Sequence, residues 1–368
     1  MLISGGTIVT PDGPLENGWL LIEDGLITGI GTGETPVADT VVDARGGWVV
    51  PGFVDIHCHG GGGFAFPDAA HQVAAVHARH GTTTLLASLV SRPIPELVRQ
   101  IASLREAHED GVIAGVHLEG PFLSAARCGA HDPAILRPPD HASVADLLSA
   151  GPVRMVTLAP ELDGAVNAVR QLVSAGVIAA IGHTDAVEAQ VVPAIDAGAT
   201  VATHLFNGMR ELHHREPGPV GALLNDPRVM VELICDMVHL SPTIVRLAAR
   251  AAGERTVLVT DAIAAAGAGD GSYEIGGLSV VVTDGVPRLA GGSSLAGSTL
   301  TMDVAFRNLV ACGLSVPAAV TATSTRPAAL LGLSDVTGSL VKGLAADVVV
   351  LSPSFEPVTI VRRGDLVS

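Results

Sequence analysis

Two histidines, His57 and His59, stand two residues apart and directly before a run of four glycines. In a β-strand, alternate side chains point to the same face, so these two imidazoles converge while Cys58 points the other way. A His-x-His pair at the end of a buried strand is typical of a metal site, but two hydrogen-bonded surface histidines would give the same pattern. The pair alone leaves both interpretations open.

Further side chains that can bind metals follow other apolar segments of the chain. They are Glu119, His183, His204, Asp236, His239 and Asp261. One such residue at a strand end is most often structural, whereas a set of them at most strand ends is difficult to explain by independent structural roles. Two imidazoles and a carboxylate leave an open coordination position, as metal-assisted hydrolysis requires. The set predicts a metal-dependent hydrolytic site.

The elements that would position these residues alternate between apolar and helix-forming segments. Eight apolar segments read as strands: 53–58, 82–88, 112–118, 153–159, 177–182, 200–205, 229–235 and 256–260. Alanine-rich segments between them read as helices: 69–80, 94–109, 141–149, 162–175, 186–197 and 241–252. Such alternation predicts an α/β fold, a (β/α)8 TIM-type barrel over residues 51–335, with the polar strand ends at one mouth.

Both ends of the chain differ from this central region. Residues 1–50 and 336–368 contain short β-like runs separated by turn signals such as Pro11-Asp12-Gly13. Neither end is long enough to close a core alone. We therefore expect the two ends to join into one small β-sandwich domain beside the barrel.

Composition excludes several classes of function. The net charge is −16 and aromatic residues make up 3% of the chain, which disfavours a nucleic-acid-binding protein. The sequence has no uninterrupted apolar run of about 18 residues, so we expect no membrane span. It does not begin with a basic region followed by an apolar run, so we expect no signal peptide. Four scattered cysteines are typical of reduced thiols in a cytoplasmic protein.

Longer motifs connect the chain to a known family. They are His117–Phe122, Gly129–Pro133, Thr203–Met209, Arg215–Gly218 and Leu258–Ala262. With these motifs in this order, the chain resembles the amidohydrolase superfamily and, within it, the N-acetylglucosamine-6-phosphate deacetylase family, nearly from end to end. The resemblance implies hydrolysis of the acetamide of an amino-sugar phosphate, a small-molecule substrate.

The resemblance also implies roles for individual residues. Glu119, His183 and His204 would hold a divalent metal, most often zinc, with iron, manganese or cobalt as alternatives. Asp261 would be the catalytic carboxylate, and His131 would polarise the amide carbonyl. Contacts to the substrate would come from Ala130, His131, Asn207, Gly208, Arg215, His239, Leu295, Ala296 and Gly297. Equivalents of Arg215 and His239 act across a subunit interface in some members, which implies a homodimer.

One count distinguishes this chain from many two-metal amidohydrolases, which bridge their metals with a carboxylated lysine. Of the 21 lysine and arginine residues only Lys342 is a lysine, and it lies in the C-terminal β region. Glu119 would therefore have to bridge any two metals. Because His57 and His59 are present, we expect a second metal held by this pair and a shared Glu119.

Two alternatives follow from the same residues. Another amidohydrolase reaction, of the dihydroorotase, D-aminoacylase or isoaspartyl dipeptidase kind, could use the same barrel, because a fold does not fix a substrate. The missing barrel lysine and the segment Arg215–Gly218 argue against it. A scaffold without catalytic activity would be expected to have lost ligands, whereas this chain retains the full set.

Overall fold

The two chain ends lie in a single sheet. The computed structural model describes residues 1–367, in which this sheet has eight strands in the order β21-β20-β19-β5-β1-β2-β3, with β4 also paired to β1. The strands are β1 (Leu2–Thr10), β2 (Gly13–Glu23), β3 (Leu26–Thr32), β4 (Val41–Asp43), β5 (Trp48–Pro51), β19 (Val348–Leu351), β20 (Pro357–Arg362) and β21 (Asp365–Leu366). Strand β5 pairs antiparallel with β19 and so joins the N-terminal strands to the C-terminal ones.

A second sheet of parallel strands forms the barrel. Within the described residues it has eight strands in the order β15-β14-β13-β12-β11-β10-β9-β6. They are β6 (Phe53–Cys58), β9 (Thr82–Val90), β10 (Gly115–Glu119), β11 (Val153–Leu158), β12 (Ile178–Ile181), β13 (Val201–Ala202), β14 (Met230–Ile234) and β15 (Thr256–Val259). The first and last strands meet through a parallel bridge between Cys58 and Ala262, just beyond the end of β15.

Helices cover the outside of the barrel and follow its strands in the chain. They are α1 (Ala70–Ala78), α2 (Ile94–Ser103), α3 (Arg105–Glu109), α4 (His141–Ala150), α5 (Ala165–Ser174), α6 (Glu188–Asp196), α7 (Gly218–Asn225), α8 (Pro242–Ala252), α9 (Met302–Ala311), α10 (Val316–Val320) and α11 (Arg326–Leu330). Short helical turns occupy Ala125–Arg127, Gly253–Arg255 and Thr321–Thr325. No helix within residues 1–367 is long and apolar enough to cross a membrane.

Helix α8 illustrates why these segments fold as they do. Ser241 accepts a hydrogen bond from the backbone N–H of Ile244 and so caps the helix start, where Pro242 needs no hydrogen-bond partner. Val245, Ala248 and Ala252 recur at helical spacing and are buried. Barrel strands, in contrast, are buried along nearly their whole length, as expected for parallel strands covered by helices.

The fold class predicted from the sequence, a (β/α)8 TIM-type barrel with a small β-sandwich domain formed by both termini, is confirmed. The terminal domain is built from one eight-stranded sheet with an apolar cluster of its own. The exact domain limits, 1–50 with 336–368 and 51–335, stay a prediction. One element was not predicted: an antiparallel sheet of β16 (Gly271–Ile275), β17 (Leu278–Thr283) and β18 (Val286–Leu289), inserted between β15 and α9. A small hairpin of β7 (Gly60–Gly61) and β8 (Phe64–Ala65) follows the first barrel strand.

Candidate active site

Three polar side chains occupy equivalent positions, two residues beyond the end of a barrel strand. They are His183 (φ 45°), His204 (φ 27°) and Asp261 (φ 49°). Left-handed backbone is unfavourable for a residue with a Cβ atom and costs about 1–3 kcal/mol at each position. Strain of this kind is typical of functional sites, and all three side chains line one cavity.

A first ligand group consists of Glu119, His183 and His204. Oε1 of Glu119 lies 2.9 Å from Nε2 of His183 and 2.9 Å from Nε2 of His204, and the two Nε2 atoms are 3.1 Å apart. All three residues are buried. Their ligand atoms are close enough to share one metal ion.

A second ligand group consists of His57, His59 and the other oxygen of Glu119, and Oδ1 of Asp261 lies in the same cluster of atoms. The Nε2 atoms of His57 and His59 are 3.1 Å apart. Nε2 of His59 lies 3.2 Å from Oε2 of Glu119 and 3.3 Å from Oδ1 of Asp261. Glu119 therefore belongs to both groups, with one carboxylate oxygen in each.

The hydrogen bonds of the Nδ1 atoms, which point away from the ligand groups, indicate whether these groups fit a metal. Nδ1 of His183 donates to the carbonyl oxygen of Arg127 at 2.8 Å, and Nδ1 of His59 donates to that of Ser88 at 3.2 Å. A neutral imidazole that donates through Nδ1 presents the lone pair of Nε2, the atom that faces the site. Several such lone pairs and carboxylate oxygens within 3–4 Å of one another repel unless a cation lies among them. The two groups fit a divalent metal.

Both acidic residues of the site are held in the ionised form. Burial raises the pKa of Glu119, but without a bound metal the protonated ring of His57 and hydrogen bonds from His131 and His183 outweigh it, so the pKa lies well below its ordinary value. Burial also raises the pKa of Asp261, but without a bound metal the protonated ring of His57 and a hydrogen bond from the ring of His59 outweigh it and lower the pKa to about 2. Asp261 is an acceptor near neutral pH.

His131 lies beside the ligand groups with a defined donor direction. Its Nδ1 accepts the backbone N–H of Ser91 at 3.3 Å, so the ring proton is on Nε2, which lies 3.4 Å from Oε2 of Glu119. Burial lowers the pKa of His131, so the ring is neutral at pH 7. A neutral imidazole with its N–H at the cavity can donate a hydrogen bond to a polarised carbonyl oxygen.

A cavity of about 270 Å³ opens over these groups. Predicted residues that line it, besides the candidate metal ligands His59, Glu119, His183 and His204 and the carboxylate Asp261, are Ala130, His131, Asn207, Gly208, His239, Leu295 and Gly297. Both polar residues and apolar ones such as Leu295 and Ile275 line the cavity, as is usual for a site that binds a small molecule.

The family model for the amidohydrolase family matches residues 48–367, nearly the whole chain. The chain belongs to the amidohydrolase family.

Relatives of this amidohydrolase are sugar-phosphate deacetylases. N-acetylgalactosamine-6-phosphate deacetylase of Escherichia coli O157:H7 is 37% identical over 372 residues, which cover 98% of this chain and 97% of that protein. N-acetylglucosamine-6-phosphate deacetylase of Rattus norvegicus is 37% identical over 388 residues, covering 100% and 93%.

A solved structure is similar over the full chain. It is a mutant of the Mycobacterium smegmatis N-acetyl-D-glucosamine-6-phosphate deacetylase in complex with N-acetyl-D-glucosamine-6-phosphate, and it is 46% identical with a TM-score of 0.96. The match covers 100% of this amidohydrolase and 99% of that chain. A fold shared this closely at this identity makes the arrangement of strand ends comparable in the two proteins.

Two predicted substrate residues lie outside the cavity lining. Arg215 is exposed on the loop before α7, where its Nη1 lies 2.7 Å from Nε2 of His214. Ala296 is fully buried behind Leu295 and Gly297. Any contact from Ala296 would therefore be made by its backbone, and Arg215 does not reach the cavity of its own chain in this conformation.

Four lining residues were not predicted: Val90, Gly129, Ile275 and Ser294. Val90 ends β9, and Gly129 stands directly before the predicted pair Ala130 and His131. Ile275 lies at the tip of the inserted sheet, where Gly276-Gly277 was the available turn signal. An apolar side chain on a hairpin gives no chemical signal of its own, so the sequence could not assign Ile275 to the cavity.

Proposed function

We propose that this chain hydrolyses the acetamide of N-acetyl-D-glucosamine 6-phosphate to D-glucosamine 6-phosphate and acetate, in a reaction that depends on a divalent metal. The observation that carries the proposal is the pair of ligand groups sharing Glu119, with Asp261 and His131 beside them at one cavity. The substrates named for the relatives supply the sugar phosphate.

Each residue of the site has a separate role in the proposed reaction. When bound, a divalent metal supplies Lewis acidity, which lowers the pKa of water towards about 7 and makes hydroxide available at neutral pH. Asp261, ionised and acceptor-only, takes the proton of the attacking water and later gives it to the leaving amine. His131 donates through Nε2–H to the carbonyl oxygen as negative charge develops on it.

Two metals per chain and zinc as the native ion form part of the proposal. Glu119, His183 and His204 would hold one ion, and His57 and His59 with the second oxygen of Glu119 would hold the other. Imidazole and carboxylate ligands suit zinc, and iron, manganese and cobalt use the same donors. Metal analysis of protein purified without added metal tests the number, with His57→Asn/His59→Asn as the matched variant. One equivalent in both proteins would contradict a second ion.

The phosphate would be bound in a homodimer. His239 lies in the cavity and Arg215 lies on an exposed loop outside it, which supports the interpretation that Arg215 reaches the cavity of a partner chain. The guanidinium offers a planar fork that matches phosphate oxygens. A cytoplasmic location is the accompanying inference, supported by four free cysteines within the described residues.

Acetate release tests the reaction and the substrate together. We expect N-acetylglucosamine 6-phosphate to be strongly preferred over N-acetylglucosamine, and the preference to collapse in Arg215→Ala. N-acetylgalactosamine 6-phosphate belongs in the same assay, because one relative carries that substrate in its name. If the metal-bound protein acts on neither phosphorylated sugar, the proposed substrate is wrong and another amidohydrolase reaction has to be sought.

A further inference from the structure

Glu232 lies on β14, beneath the ligand groups, and has no role in the chemistry described above. Its side chain is 0% exposed. Oε2 lies 3.2 Å from Nδ1 of His57 and accepts the backbone N–H of His204 at 3.1 Å, while Oε1 has no hydrogen-bond partner within residues 1–367. Burying a carboxylate with one oxygen unpaired is costly, so its contacts with the two histidines call for an explanation.

The contact with His57 determines which of its ring nitrogens carries the proton. When His57 donates an Nδ1 proton to Glu232, its Nε2 is the atom that can present a lone pair to a metal; it lies 3.6 Å from Oε2 of Glu119 and 3.5 Å from Oδ1 of Asp261. His59 and His183 instead donate their Nδ1 protons to neutral backbone carbonyls. A carboxylate partner makes an imidazole a more basic ligand than a carbonyl partner does.

The contact with His204 acts through the backbone. His204 has the smallest positive φ of the three strained residues, 27°, and Nδ1 of its ring has no hydrogen-bond partner among the described residues. The ring is therefore not oriented by a hydrogen bond at Nδ1, the nitrogen that points away from the ligand group. Because Oε2 of Glu232 holds the N–H of this residue, it stabilises the backbone conformation that directs the ring towards Glu119.

We propose that Glu232 is a positioning residue that orients one histidine of each ligand group, His57 through its ring and His204 through its backbone. A single carboxylate then sets the affinity of both groups for metal. The inference rests on the proposed metal-dependent function and deepens it. Since a metal titration requires no turnover, its outcome is independent of which amide the protein hydrolyses.

The test is a cobalt titration of metal-stripped full-length protein against a competing chelator, read by visible absorption. Glu232→Gln keeps the shape of the side chain and removes its charge. We expect roughly 10- to 100-fold weaker cobalt binding and an altered absorption band, as for other partners of metal-binding histidines. A folded Glu232→Gln protein with wild-type affinity and spectrum would overturn the proposal.

Asp303→Asn is the matched control. Asp303 is also a buried carboxylate beside a histidine, with Oδ1 3.3 Å from Nδ1 of His80, and it belongs to neither ligand group. Its substitution is expected to leave cobalt affinity and the spectrum unchanged. Equal weakening in both variants would mean that any lost buried carboxylate loosens the site, and this would overturn a specific role for Glu232.

A measurement on the unmodified protein covers the case in which a Glu232 variant fails to fold. Nitrogen-15 NMR of the histidine rings in the zinc-loaded wild type identifies which ring nitrogen of His57 carries the proton. A proton on Nδ1, protected from exchange with water, supports the proposal. A ring without a proton on Nδ1 would overturn it, whatever the variants do.

Discussion

Asp261 is the residue on which the proposed proton transfers depend. It is buried and adopts φ 49° two residues beyond the end of β15. Without a bound metal, the protonated ring of His57 and a hydrogen bond from His59 outweigh the effect of burial and lower its pKa to about 2. It is therefore ionised throughout the neutral range and ready to accept a proton. The carboxylate also lies within reach of the second ligand group, so its substitution needs a metal measurement beside the kinetic one.

Asp261→Asn is expected to lower kcat for acetate release by about 10²- to 10⁴-fold, the usual contribution of a positioned acid or base. The amide keeps the shape and a hydrogen-bonding oxygen but cannot accept the proton. KM for the sugar phosphate should change little, because Asp261 acts on the water and the leaving amine. Steady-state kinetics on protein of measured metal content checks this, and retention of wild-type kcat would contradict the assignment.

Residues with a distinctive chemistry were the ones that the sequence could identify. The sequence identified a set of five residues because imidazoles and carboxylates at several strand ends are difficult to explain by independent structural roles. The structure brings all five together: His57, His59, Glu119, His183 and His204. Glu232 escaped notice because it is one acidic residue inside the apolar run 229–235. Only its contacts with two histidines distinguish it from a structural carboxylate.

At the scale of elements, the turn after β14 holds a histidine of the cavity, His239, against the carboxylate of Asp236. Asp236 accepts the backbone N–H groups of Val238 and His239 at 2.8 Å each, and its Oδ2 lies 2.7 Å from Nδ1 of His239. Burial lowers the pKa of His239, but the hydrogen bond and charge of Asp236 outweigh it and raise the pKa above its ordinary value. The turn thus keeps a positive charge in the cavity to higher pH than an isolated histidine would.

This pKa predicts a pH dependence of substrate binding. As the pH rises through the raised pKa of His239, the cation is lost and KM for the phosphorylated sugar should increase. Asp236→Asn removes the carboxylate, so the increase should begin at a lower pH than in the wild type. Because the phosphate of the substrate titrates identically with both proteins, the difference between their KM profiles isolates His239. Superimposable profiles would contradict a role of this histidine in phosphate binding.

The turn after β15 packs closely against a glycine from a later segment of the chain. Gly297 has φ 59°, and a Cβ atom there would lie 2.8 Å from the carbonyl oxygen of Asp261 and 2.6 Å from a methyl group of Ile263. Gly297→Ala should therefore displace the Asp261 turn, lower the free energy of unfolding by about 1–3 kcal/mol and reduce kcat. Denaturant unfolding and acetate release check the two effects. Gly313→Ala, at φ 91° with open space around it, is the control for the backbone effect alone.

Elements were predicted as well as their periodicity allowed. The strand at 53–58 and the helix at 241–252 were located within a residue, because each has a clear apolar pattern. The inserted sheet at 271–289 was missed, since β16 is mostly exposed and β17 alternates buried and exposed residues over only a few positions. Its place over the cavity follows from tertiary packing, which no local pattern encodes.

At the scale of the whole molecule, we expect two copies of this acidic chain to work together as a homodimer. With a net charge of −16, binding of a phosphorylated sugar requires local positive charge. Arg215 is exposed outside the cavity of its own chain and is the side chain expected to supply that charge to a second chain.

Subunit mixing tests this arrangement. Arg215→Ala and Asp261→Asn homodimers should each be impaired, the first in KM and the second in kcat. After unfolding and refolding together, mixed dimers contain one site with both native residues, and activity on the phosphorylated sugar should return. Refolding each variant alone is the control. Impaired variants whose mixture stays impaired, despite mixed dimers shown by mass spectrometry, would contradict a shared site.

The central claim is metal-dependent hydrolysis at the cavity built around Glu119. The most direct measurement strips the protein with a chelator, restores zinc in steps, and follows acetate release from N-acetylglucosamine 6-phosphate. The account predicts almost no release without metal and recovery as the two ligand groups fill, with His183→Asn/His204→Asn protein failing to recover. Full acetate release by verified metal-free enzyme would contradict it.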